Sequence, residues 1–314
     1  MTNSPLVNIC ADTLHISTSQ VMRLILRAPH TYKVYSIPKK SGGRRIIAQP
    51  AKETKYLQDV IIKRYLNLLP IHEAASAYKI GSSIKNNANA HKHNKYFVKL
   101  DFKRFFESIT LDDLVTHFEK YLPTPLSKED TVYLARICCR SSDGRAALTI
   151  GSPASPVLSN TVMYDFDKII ESWSSQNGFT YTRYADDLTL STSTPGASAQ
   201  VIPAVLNALE KIEYPKLLLN NEKTVFLSRK NNRRITGIVI NNDGRLSLGR
   251  EKKRLISAMI YHYQQGRLSE ENQFKLQGLI GFALDIEPIF VSRLNSKYGR
   301  DVISKILQRR QPKQ

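Results

Sequence analysis

The segment YTRYADDLTLS, residues 181–191, sets two adjacent aspartates between short runs of alternating aromatic, β-branched and polar residues. Aspartate favours turns because its side chain bonds nearby backbone, so a lone Asp-Asp pair in a hairpin is more often a turn device than a catalytic one. A third carboxylate changes that weighting. In YFVKLDFKRFFESI (96–109) an apolar strand ends on Asp101, where a buried charge is costly unless a cation compensates it. If the two strands are neighbours, Asp101, Asp186 and Asp187 converge. Three close carboxylates repel one another, and hard divalent cations with oxygen ligands relieve the repulsion. Two such ions roughly 4 Å apart clamp the attacking and leaving oxygens of an in-line phosphoryl transfer. The chemistry this points to is nucleotidyl transfer on a nucleic acid.

The charge balance agrees. Among 314 residues, 46 Lys and Arg face 27 Asp and Glu, a net charge of +19 with a pI near 9.8, and such an excess suits a polyanionic partner. A hydrophobic content of 41% is ample for a packed core. Cys10, Cys138 and Cys139 form an odd set with no CxxC, which argues against a disulfide framework or a zinc knuckle. The start MTNSPLVNICADTL lacks the basic and apolar regions of a signal peptide, and no uninterrupted apolar run of about 18 residues occurs. The expectation is a cytoplasmic protein with no membrane segment.

The elements that must position these carboxylates read as a mixture. Residues 17–29 form a Ser/Thr-capped helix ended by Pro29; 32–50 form two strands joined by a Gly-Gly turn; 52–69 are helical. Residues 95–102 form a strand, Thr110 and Ser127 open two helices, and 156–174 read as one further helix. The Asp-Asp hairpin follows, then a helix near 198–210 and strands near 216–219, 223–228 and 234–240. From Gly249 the pattern is helical to the end. The fold class is therefore α+β with a helical appendage.

Four stretches in order carry a family resemblance: Asp101 in VKLDFKRFF, GSPASP at 151–156, YADD at 184–187 and NNEKT at 220–224. Their order and spacing over about residues 30–240 resemble the palm motifs of reverse transcriptases. NANAH at 87–91 is similar to the NAxxH element of bacterial retron reverse transcriptases, and ITG at 235–237 to their VTG triplet. The resemblance implies a right-hand polymerase fold. Residues 1–95 would be N-terminal helices and fingers, 96–240 a palm of antiparallel sheet backed by helices with a fingers insertion around 120–150, and 241–314 a basic, mostly helical thumb.

The resemblance also implies roles. Asp101, Asp186 and Asp187 would hold two Mg²⁺ ions, with Mn²⁺ as the alternative metal and the Phe102 carbonyl as a further ligand. Phe106 would be the aromatic gate that excludes a 2′-hydroxyl; the competing reading makes Phe102, Phe105 and Phe106 all core residues. Arg45 would contact the incoming triphosphate, since guanidinium donates to two phosphate oxygens at once. Lys40 is a second candidate, and Arg44 stands one step away. Lys223 would sit near the leaving pyrophosphate. Relatives carry Pro-Gln-Gly where this chain has Thr149, Ile150 and Gly151. The glutamine that contacts the nucleotide sugar is absent, while Gly151 still allows close backbone approach to substrate.

By bare sequence NANAHKHNKY (87–96) is a polar surface loop, and its histidines lack a full metal-ligand set. By resemblance Asn87 and His91 belong to a segment that recognises structured RNA, directly or by supporting the loop. Arg250, Lys252, Lys253 and Arg254 open the C-terminal helical part; they are either a solvated face or a thumb gripping a nucleic-acid backbone. The implied partners are a cognate structured non-coding RNA, dNTPs, the branched RNA–DNA product called msDNA, primed from a guanosine 2′-hydroxyl, and an effector protein in anti-phage defence. The rival readings are a group II intron-like or diversity-generating reverse transcriptase, and a non-catalytic RNA-binding scaffold on a polymerase fold.

Overall fold

A computed structural model of the chain describes residues 4–39, 42–124 and 126–308. In chain order come α1 (Pro5–Leu14), α2 (Thr18–Arg27), β1 (Tyr32–Pro38), β2 (Arg44–Pro50), α3 (Lys52–Arg64), α4 (Ile84–Ala90), β3 (Tyr96–Asp101), α5 (Phe105–Ser108), α6 (Leu111–Tyr121) and α7 (Lys128–Cys138). There follow β4 (Arg140–Ser142), β5 (Arg145–Ala147), α8 (Ala154–Thr161), α9 (Tyr164–Gln176), β6 (Thr180–Tyr184), β7 (Asp187–Thr192), α10 (Val201–Lys211) and β8 (Val225–Leu227). The remainder is β9 (Arg234–Ile235), β10 (Ile238–Ile240), β11 (Leu246–Ser247), α11 (Arg250–Gln264), α12 (Glu270–Ile286), α13 (Pro288–Tyr298) and α14 (Arg300–Leu307). They form two compact units, residues 1–82 with 98–226, and residues 83–97 with 227–314.

The first unit is organised by a four-stranded sheet in the order β6-β7-β3-β8. β3 is interior and almost wholly buried, which is why its sequence is a near-continuous apolar run up to Asp101. Val98, Leu100, Leu188 and Leu190 share a core with Leu158, Val162, Phe166 and Ile170 from α8, α9 and the link between them. Helix starts follow capping chemistry. Ser17 with Gln20 and Thr110 with Asp113 form reciprocal capping boxes, and Ser127 caps α7. Ser4 caps α1 and donates to the buried Asp130 of α7, fastening the chain start to that helix.

In the second unit a small sheet, β11-β10-β9, packs with α4 and α11–α14. Its core includes Ala88, Phe97, Ile238, Ile256, Leu276, Ile280 and Leu294. No helix among the described residues is long and apolar enough to cross a membrane.

Several expected elements differ. The helix read over 156–174 is two, broken at Val162 and Met163; both are buried and neither is Gly or Pro, so tertiary packing and not a local breaker sets the break. The strand read over 234–240 is two, because Thr236 and Gly237 both adopt positive φ and turn the chain back so that Ile235 faces Ile238. At 216–219 there is no named strand, only a bridge from Leu219 to Phe102. The segment read as a polar surface loop begins in helix α4, with Asn87 and His91 buried.

Candidate active site

Asp101 is the last residue of β3 and Asp187 the first of the adjacent β7, so the sheet order brings the two acidic ends side by side. The register pairs Tyr184 with Asp187, which leaves Ala185 and Asp186 as a two-residue turn. Ala185 takes φ 56°, a left-handed conformation that costs a non-glycine residue about 1–3 kcal/mol. It is retained beside the acidic residues. Burial, then the charges of Asp187 and Asp101, push the Asp186 carboxyl up to about 6. Burial also raises Asp187, while the Lys99 charge pulls it the other way. Lys99 precedes Asp101 by two residues on β3 and so shares its face; a lysine inside an apolar strand is the sequence signal that marks it.

Asp101 is met from the other side by the 220–223 segment. Lys223 Nζ lies 2.9 Å from both Asp101 carboxylate oxygens, and Asn220 Nδ2 donates to Oδ1 at 3.3 Å. Main-chain bonds fix the approach, from Asn220 N–H to the Asp101 carbonyl at 2.7 Å and from Lys103 N–H to the Leu218 carbonyl at 2.8 Å. Those two bonds flank Phe102 without using its carbonyl. The hydrogen bond to Asp101, more than the surrounding charges, raises the Lys223 pKa, so the ammonium stays protonated at neutral pH.

The donor set is entirely oxygen, as a hard dication prefers, and the burial and acidic neighbours that raise the Asp186 pKa are costs of ionisation that such an ion would offset. Among the described residues no three His, Cys, Asp or Glu side chains enclose a single point. Mg²⁺ does not need such a cage. It is bound by one or two carboxylates and completes its octahedron with water and substrate phosphates. The residues therefore fit the group.

Other predicted residues lie in the same unit as this centre. Arg44 bonds Ser36 of its own hairpin, through Nε at 2.6 Å and Nη2 at 2.9 Å, whereas Arg45 is exposed with no such bond. Of the two neighbours, Arg44 is thus the one tied to its own hairpin among the described residues. Lys40 lies outside the described residues. Tyr78, not foreseen from sequence, is half exposed with φ 54° and feels the charges of Asp186 and Arg45. Phe102 and Phe105 are core residues stacked on each other, while Phe106 is only partly buried, with its ring edge-on to Phe105 at 5.4 Å.

Gly151 has a packing reason to be glycine. It sits at φ 111°, and a Cβ there would lie 2.8 Å from the Ala48 carbonyl and 2.9 Å from Ile47 Cγ2. The close packing is made by β2, where Ala48 N–H donates to the Ile150 carbonyl at 2.8 Å. The next residue, Ser152, donates to the buried Gln58 at 2.8 Å, and Gln58 in turn donates to the Ile137 carbonyl and the Tyr32 hydroxyl. The loop is thus held by α3, β1 and the end of α7.

The remaining candidates belong to the second unit. His91 is fully buried, its ring 6.0 Å from that of Phe97, and burial lowers its pKa to about 3, which keeps it neutral. Asn87 is 3% exposed. Both shape the unit from inside and present no side chain at its surface. Lys253 donates to Glu287 at 2.5 Å, and Glu287 also accepts from Ser247 Oγ and Leu248 N–H. Lys252 donates to the Gly237 carbonyl and lies over the Phe282 ring at 4.7 Å. Arg250 and Arg254 are exposed. The basic run therefore divides into two lysines that hold the unit together and two arginines that face solvent.

A sequence profile described as reverse transcriptase (RNA-dependent DNA polymerase) matches residues 37–240. The chain is 39% identical over 279 residues to the retron Ec83 reverse transcriptase of Escherichia coli, covering 88% of this chain and 89% of that protein. To the retron Ec73 reverse transcriptase of Escherichia coli it is 33% identical over 302 residues, 93% of this chain and 94% of that one. Among solved structures, a telomerase from Candida albicans aligns with 89% of this chain and 61% of its own, at 14% identity and a TM-score of 0.48.

Proposed function

The chain belongs to the retron reverse transcriptase family and is an RNA-directed DNA polymerase of right-hand fold, and on that premise we propose that Asp101, Asp186 and Asp187 are its metal-binding centre. The observation that carries this reading is the end of β3 beside the start of β7, where burial, then the charges of Asp187 and Asp101, raise the Asp186 pKa within a chain of net charge +19. The enzyme depends on divalent metal, as its family does, and we assign that role to Mg²⁺, with Mn²⁺ as substitute. Asp101, Asp186 and the Phe102 carbonyl would hold the ions directly. When bound, the ions supply positive charge at the primer hydroxyl and at the triphosphate.

The chain's own residues do the rest. Arg45 grips triphosphate oxygens from the β1–β2 hairpin. Phe106 blocks a ribose 2′-hydroxyl, and the backbone at Gly151 lines the nucleotide site. Lys223, kept protonated by Asp101, releases that carboxylate and turns its ammonium to the departing pyrophosphate, donating a proton or neutralising charge. Residues 1–95 serve as N-terminal helices and fingers, 96–240 as palm with a fingers insertion at 120–150, and 241–314 as thumb. Arg250 and Arg254 contact nucleic-acid backbone, while Asn87, His91, Lys252 and Lys253 support the RNA-binding surface from within.

The template is RNA. We assign it to a cognate structured non-coding RNA, primed from a guanosine 2′-hydroxyl to give branched msDNA, in the bacterial cytoplasm, with an effector protein and a role in anti-phage defence. The test is the nucleic acid that co-purifies with the protein from its native host. The reading expects a branched species destroyed in part by RNase and in part by DNase. Protein that carries no such species, yet extends a generic primer on RNA, contradicts the retron-specific part.

A further inference from the structure

Beneath the acidic turn lies a fully buried guanidinium. Arg183, at the inward face of β6, and Asp167, on α9, have side chains with 0% exposure. Nε of Arg183 is 2.9 Å from Asp167 Oδ1 and Nη2 is 2.6 Å from Oδ2; Tyr181 Oη donates to Oδ1 at 2.7 Å. Nη1 reaches the other way, donating to Asn160 Oδ1 at 3.3 Å and to the carbonyl of Ala185 at 3.1 Å. Asn160 Nδ2 donates in turn to the Ala77 carbonyl at 2.7 Å. The main chain of Arg183 is held as well, accepting from Ser76 N–H and donating to the Ala74 carbonyl, both at 2.8 Å.

A buried ion pair is weak evidence for stability, because desolvating two charges offsets most of their attraction and a well-packed apolar pair is often as stable. What an apolar pair cannot do is donate to a carbonyl. The Ala185 carbonyl belongs to the strained residue immediately before Asp186, and its direction fixes the plane of the Ala185–Asp186 peptide and hence the aim of the Asp186 side chain. The planar fork of arginine, held along one edge through Nε and Nη2 by Asp167, points Nη1 at that carbonyl with little freedom left. The Asn160 bond to Ala77 ties in the segment leading to Tyr78, which, like Ala185, takes a left-handed conformation, with φ 54°.

We propose that Arg183 is a positioning residue: clamped by Asp167 and Asn160, it holds the Ala185 carbonyl so that Asp186 is aimed for metal binding. The inference rests on the metal-centre reading above. The network acts on the metal-binding step and leaves dNTP recognition and RNA affinity to other residues.

The test measures Mn²⁺ binding to the purified protein by electron paramagnetic resonance, without nucleic acid, beside single-nucleotide incorporation and thermal melting. The central variant is Arg183→Met with Asp167→Leu, which removes both buried charges together and so leaves no orphaned ion. It is expected to melt cooperatively, to require at least tenfold more Mn²⁺ for half-saturation, and to lose kcat with little change in KM for dNTP. Arg183→Lys, which keeps the charge on Asp167 but not the fork, should show the same direction. A folded double variant with wild-type Mn²⁺ affinity and kcat overturns the proposal. If the double variant does not fold, Asn160→Ala decides: weakened Mn²⁺ binding supports the clamp, and unchanged binding and kcat overturn it. Wild-type protein that binds no Mn²⁺ and incorporates no dNTP would instead defeat the metal-centre reading on which the inference stands.

Discussion

Replacing Asp186 by asparagine should stabilise the metal-free protein while abolishing its chemistry. The folded chain holds the Asp186 proton up to about pH 6, against an ordinary value of 3.8. The unfolded chain gives its proton up first, so between those values it binds fewer protons than the folded one and stability falls as pH rises. Well above pH 6 the ionised group costs the folded state about 3 kcal/mol, at roughly 1.4 kcal/mol for each factor of ten. At pH 5 the same linkage leaves about half of that. The asparagine side chain is nearly isosteric and carries no such cost. Urea unfolding in the presence of a chelator, followed through the single tryptophan, measures the difference; Trp173 stacks on Phe179 at 5.1 Å in the unit that holds the site. The variant should exceed wild type by up to about 3 kcal/mol at pH 8 and by about half of that at pH 5. Mg²⁺ should stabilise wild type and leave the variant unmoved. Equal stabilities at pH 8, or a gap that widens toward pH 5, would refute the claim that burial and the neighbouring acidic charges raise this carboxyl.

Phe106→Ala or Phe106→Val should raise ribonucleotide use relative to deoxyribonucleotide use in matched single-nucleotide incorporation; a purely structural Phe106 would lower stability by a few kcal/mol and leave the ratio alone. Gly151→Ala places a Cβ 2.8 Å from the Ala48 carbonyl at φ 111° and should cost about 1–3 kcal/mol in unfolding experiments, with a larger proportional loss of activity. A wild-type melting temperature and rate for Gly151→Ala would show that β2 does not need that approach. Arg250→Ala and Arg254→Ala should each weaken duplex binding and reduce the salt slope by about one without moving the melting temperature, whereas Lys253→Ala should lower the melting temperature by stranding Glu287.

The acidic centre is legible because each of its parts has a local signature. An apolar run ending on Asp marks β3, period-two alternation marks β6 and β7, and the two aspartates between them mark the turn. Which strands are neighbours is a long-range fact, and only the sheet order supplies it. The polar composition of residues 87–94 misleads for a physical reason: asparagine and histidine read as surface residues until partners inside the fold are available to them. The four basic residues from Arg250 to Arg254 look equivalent in sequence, yet Glu287, 34 residues beyond Lys253, ties down Lys253, and the Gly237 carbonyl with the Phe282 ring ties down Lys252. Arg183 carries a local signal of its own. An arginine in the middle of an alternating strand, on the side that should be buried, calls for a buried acid, and Asp167 is available one helix earlier.

The most direct test of the account is single-turnover incorporation of one dNTP opposite an RNA template with Mg²⁺, comparing wild type with Asp101→Asn at matched occupancy of the same primer–template. Asp101 is held at the end of β3 with its side chain 9% exposed, so its charge is the feature removed and the surrounding fold is kept. The account predicts extension by wild type and none by Asp101→Asn, with equal affinity for primer–template in both. Extension by Asp101→Asn at the wild-type rate would contradict it.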